Sequence, residues 1–71
     1  MALVYIEYGK EGEQLCGNTH DPAVGIGSSV TVGFGGYCEY YKVTKILEPA
    51  TELDAALVEA EYEGMDLVDQ F

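Results

Sequence analysis

Alternation of apolar and polar positions is the clearest pattern along this chain. "ALVYIEY" at residues 2–8 is rich in apolar and aromatic groups and reads as a strand. "SVTVGF" at 29–34 places Val30, Val32 and Phe34 on one face of a second strand. Gly35-Gly36 follows as a two-residue hairpin signal. "YCEYYKVTKIL" at 37–47 is the longest β-rich run, and Pro49 ends it. Between the first two strands, residues 9–28 turn polar and glycine-rich and read as a long loop.

Residues 51–63 admit two patterns. As a helix, Thr51 and Asp54 resemble a capping box, and Leu53, Leu57 and Ala60 fall at helical spacing. As a hairpin turning at Glu63-Gly64, Val58, Ala60, Tyr62, Met65 and Leu67 share one face, with Glu59, Glu61 and Asp66 on the other. The helix would end on Glu61 and Glu63 with no cation, against its own dipole. The hairpin also uses the apolar residues of "MDLVDQF". The expectation is therefore an all-β protein of five short antiparallel strands closed into a small barrel, with a helix at 51–63 packed on a sheet as the alternative.

That order resembles the SH3-like barrel. "ALVYIEY" looks like its opening strand, Gly9–Ser28 sits where its long first loop lies, and "GSSVTV" leads into its second strand. "YEGMDLVDQF" is similar to its closing strand pair. Peptide-binding members carry a Trp and a late Pro-x-x-Tyr segment in an aromatic groove. This chain has no Trp and no proline after Pro49, so the resemblance implies the fold and not proline-rich ligand binding.

Length changes the picture by bounding it. Seventy-one residues make a single domain, 1–71, whose core is small for its surface. No apolar run is long enough for a membrane span, and the first residues lack the basic start of a signal peptide, so a cytoplasmic location is expected.

Charge changes it more. Thirteen acids against three lysines, with no arginine, give a net charge of −10. Residues 1–47 hold five acids and all three lysines, whereas residues 48–71 hold eight acids and no base. Such a surface repels nucleic-acid backbones and anionic lipid, which disfavours direct binding to either.

The glycine-rich stretch "VGIGSSVTVGFGGY" at 24–37 raises the question of phosphate binding. A Walker loop needs a lysine, and none lies between Lys10 and Lys42. A dinucleotide fingerprint needs a helix after the glycines, and a strand follows instead. The glycines read as turns at 25, 27 and 35–36.

Cys16, His20, Asp21 and Cys38 are the only candidate metal or nucleophile set. A structural zinc site wants four soft ligands at tighter spacing, and nothing marks an oxyanion site beside a cysteine. Cys38 reads as a small core residue and Cys16 as a loop thiol, and a disulfide between them would be unusual in a reducing compartment. His20-Asp21-Pro22 reads as a turn. No metal, cofactor or catalytic residue is expected.

The residues that point to function are acidic and aromatic. On a strand, Glu59, Glu61 and Glu63 form a row with no compensating base, and Asp66 extends it. By alternation Tyr37 and Tyr41 lie on one side of their strand and Tyr40 on the other. The reading is a non-enzymatic acidic module that binds a protein with a basic surface, with Glu59, Glu61, Glu63, Asp66, Tyr37 and Tyr40 as contacts. Its size and charge resemble those of small DNA-mimic inhibitors from phages and mobile elements. The alternative is an assembly accessory, such as a small virion subunit, that uses a tyrosine-rich face. Homo-oligomers stay open.

Overall fold

A computed structural model describes residues 2–68. It contains five strands and no helix: β1 (Ala2–Ile6), β2 (Leu15–Thr19), β3 (Ser29–Phe34), β4 (Tyr37–Glu48) and β5 (Ala56–Leu67). They close in chain order into a barrel. Successive strands pair antiparallel, so β1 and β5 run in the same direction and the closing seam is parallel. An odd number of alternating strands leaves no other way to close.

The all-β barrel and its strand count agree with the expectation, but two of the five strands differ. Gly9–Ser28 is not one long loop, because β2 lies inside it. Its inward residues are Leu15, Gly17 and Thr19, a set with little hydrophobic signal. Gly17 lets β2 approach β3 closely: a Cβ there would sit 2.6 Å from the Thr31 carbonyl oxygen and 2.9 Å from methyl groups of Val30 and Val32. Thr19, only 1% exposed, faces inward beside them.

The final hairpin is not formed. β5 continues through Glu63-Gly64 and pairs with β4 from Leu57 opposite Glu48 to Leu67 opposite Tyr37. Tyr41 pairs with Tyr62 and Tyr40 with Gly64, which leaves Glu63 as an extra residue in a bulge. Gly64 takes φ +151° there. A one-residue bulge and a two-residue turn shift the alternation equally, so Tyr62 and Met65 keep the inward face in both. Only the partner differs: the second half of β5 pairs with β4, not with its own first half.

The helical alternative for 51–63 fails as well. Thr51 Oγ1 accepts hydrogen bonds from the backbone N–H groups of Leu53 and Asp54, and Asp54 O accepts one from Thr51 N–H. The capping-box residues thus close a single turn, after which the chain enters β5. Parallel pairing of Ala56, Leu57 and Val58 with Val4, Tyr5 and Ile6 draws that segment into the seam.

The turns expected at Gly25–Gly27, at Gly35-Gly36 and at His20-Asp21-Pro22 do form, unlike the one at Glu63-Gly64. Ser28 N–H donates to Gly25 O across a turn in which Gly27 has φ +92°, and Gly36 takes φ +92° between β3 and β4. Asp21 N–H donates to Thr19 Oγ1 in the bend through His20-Asp21-Pro22.

Val4, Ile6, Val30, Val32, Tyr41, Val43, Ala56 and Val58 form the core. Each buried Val or Ile contributes about 1.5–3 kcal/mol. The core is filled mainly where all five strands overlap. β4 and β5, each twelve residues long, run past β1 and β2, and with β3 they form a three-stranded extension at one end. No helix among the described residues is long and apolar enough to cross a membrane.

Candidate functional site

The outer face of β4 and β5 carries most of the residues singled out in the sequence. Alternation sends Cys38, Tyr40 and Lys42 outward from β4. Register sets Asp66 opposite Cys38, Gly64 opposite Tyr40 and Glu61 opposite Lys42. A second bulge at Thr44 keeps Lys45 opposite Glu59 on the same face, and Thr44 Oγ1 donates to Glu59 O.

Glu61, Glu63 and Asp66 are exposed and Glu59 is half-buried. The row is not uncompensated, however. Two of the three lysines stand directly across from Glu61 and Glu59, at positions where opposite charges attract. Sequence reading placed these lysines in a different segment from the acids. The long β4–β5 pairing brings them together.

Tyr40 is tied into this face. Its hydroxyl donates to Asp66 Oδ2 at 2.9 Å and accepts from the Cys38 thiol at 3.4 Å. The bonds to Cys38 and Asp66 hold the phenol well above its ordinary ionisation range. Cys38 therefore lies outside the core, contrary to expectation, and Cys16 stands exposed on β2 rather than in a loop. Both are free thiols. The phenol keeps its proton, directed at the carboxylate, and its oxygen accepts the Cys38 S–H.

Tyr37 does not join Tyr40. It points inward and stacks on Phe34 with ring centroids 4.8 Å apart and planes 11° apart. Tyr41 is 1% exposed. It donates to Glu39 Oε1 at 2.9 Å and accepts from Lys10 N–H at 3.1 Å. Burial pushes its phenol up to about 12, opposed by the Lys10 N–H and aided by Glu39. The loop between β1 and β2 thus folds over the open end of the barrel. There the Lys10 ammonium sits 4.7 Å from the Tyr62 ring centre. Sequence reading missed this Lys10–Tyr41–Glu39 arrangement, which joins three distant segments.

Elsewhere, Ala2, Leu3, Pro22, Ala23, Val24, Ile46, Pro49 and Ala50 line a mostly apolar cleft of about 270 Å³. Among the described residues, no group of three His, Cys, Asp or Glu side chains could hold a metal ion. No protein-family model, curated protein or solved structure matches this chain.

Proposed function

We propose that this protein is a non-enzymatic acidic module that binds a basic surface of a partner protein, in the manner of the small DNA-mimic inhibitors it resembles in size and charge. One observation carries the reading. The turn before β5 and β5 itself hold Glu52, Asp54, Glu59, Glu61, Glu63 and Asp66 and no cation. Lys42 and Lys45 offset Glu61 and Glu59, which leaves Glu52, Asp54, Glu63 and Asp66 without a lysine across the ladder. A surface of one sign speeds encounter with a surface of the other. The closed five-stranded barrel suits this role, and we read it as an SH3-like barrel used as a rigid carrier for the acidic strand. The assembly reading through a tyrosine face has less support, because Tyr37 and Tyr40 lie on opposite faces of β4.

The test is affinity capture from the native cell with mass spectrometry, at low and at high ionic strength. The expected result is a stoichiometric partner with a basic surface, retained at low salt and released at high salt. A partner held equally in both conditions contradicts the proposal.

A further inference from the structure

We infer that the free edge of β5 takes an extended, lysine- or arginine-bearing segment of a partner protein as a sixth strand; the inference rests on the acidic-module reading and gives it a binding mode. β1 pairs with β5 only as far as Val58, and the last bond of that seam runs from Glu7 N–H to Val58 O. From Glu59 to Leu67, no strand among the described residues pairs with the edge of β5 that faces away from β4.

The backbone groups on that edge can be assigned. Val43 N–H and C=O face the β3 side, bonded to Ser28 O and Gly27 N–H, so those of Lys42 face β5 and meet Glu61. Glu59 O faces β4, where Thr44 Oγ1 reaches it. Alternation then turns the N–H and C=O groups of Ala60 and Tyr62 outward, and the bulge at Glu63 resets the pattern so that Met65 and Leu67 follow.

This edge states what it fits. A strand laid along it would place one set of side chains beside Ala60, Tyr62, Met65 and Leu67 on the inner face. Met65 and Leu67 are exposed there and leave apolar surface to be covered. The other set would fall beside Glu59, Glu61 and Asp66 on the outer face, where cations pair across the ladder. The complementary sequence alternates basic and apolar residues. A second copy of β5 fits badly, because antiparallel self-pairing sets carboxylates against carboxylates, a common defence of open edges. Main-chain bonds along an added strand supply affinity, and alternate side chains supply specificity.

The probe is a synthetic peptide of alternating lysine and valine. Two further versions are N-methylated, one at the valine nitrogens and one at the lysine nitrogens. Methylation keeps every charge and removes the donors along one peptide edge. The parent peptide is expected to bind at low ionic strength and to slow amide exchange at Ala60 and Tyr62 roughly tenfold or more. One methylated version should lose that binding, the valine one for antiparallel docking and the lysine one for parallel. If both versions bind like the parent without protecting Ala60 and Tyr62, edge docking is overturned while the acidic-module reading stands. If no version binds at low salt, both readings fall. Protection of the same amides that grows with protein concentration, without peptide, would assign the edge to a second copy and overturn the inference.

Discussion

At the scale of residues, Tyr41 joins local chemistry to stability most directly. Its hydroxyl donates to the buried Glu39 carboxylate and accepts from the N–H of Lys10, an exposed loop residue. Tyr41→Phe leaves the buried Glu39 oxygen unpaired and should cost about 1–3 kcal/mol in urea unfolding. The pH dependence has a definite sign. A tyrosine in an unfolded chain ionises near pH 10, whereas the folded Tyr41 keeps its proton to about 12. The folded state binds that proton more tightly, so this contribution is complete below about pH 10 and is lost as pH rises towards 12. Thermal melts across that window should fall more steeply for the wild type than for Tyr41→Phe. Parallel curves would contradict the burial of this phenol. None of this was legible in the sequence, where Glu39 was one more acid and Lys10 a loop residue.

At the scale of elements, the bulge in β5 carries the main difference between pattern and structure. A Cβ added at Gly64 would meet nothing within 4 Å, so Gly64→Ala should cost only backbone strain, about 1–3 kcal/mol. Urea unfolding measures that cost. A nuclear Overhauser contact between Gly64 and Tyr40 would place the bulge, whereas contacts between Tyr62 and Met65 across a tight turn would restore the hairpin. The inward face of β5 was legible because Val58, Ala60 and Tyr62 alternate strictly. The pairing was not, since a bulge and a turn leave the same spacing. The length of β4 held the missing signal: a strand of that length leaves half its ladder unpaired beside a short hairpin. β2 was illegible for a different reason. It is fitted by close backbone approach at Gly17 and by the small Thr19, and neither looks like a strand by hydrophobicity.

For the whole molecule, the claim is that an acidic strand on a small barrel finds a cationic partner. The carboxylates were legible and their neighbours were not, because Lys42 and Lys45 meet Glu61 and Glu59 only through the β4–β5 register. This changes the variant that isolates charge. Reversing Glu59 or Glu61 to lysine would set ammonium against ammonium and disturb the ladder. Glu52→Gln with Glu63→Gln removes two exposed carboxylates that face no lysine and keeps side-chain size. Individual surface pairs contribute at most about 1 kcal/mol, so the effect belongs in the association rate more than in stability. The decisive measurement is that rate, for the wild type and the double variant against the captured partner, over a series of salt concentrations. The account predicts faster binding by the wild type at low salt, with the two rates converging as the Debye length falls to roughly 3 Å at 1 M. Equal rates for both proteins, unmoved by salt, would contradict it.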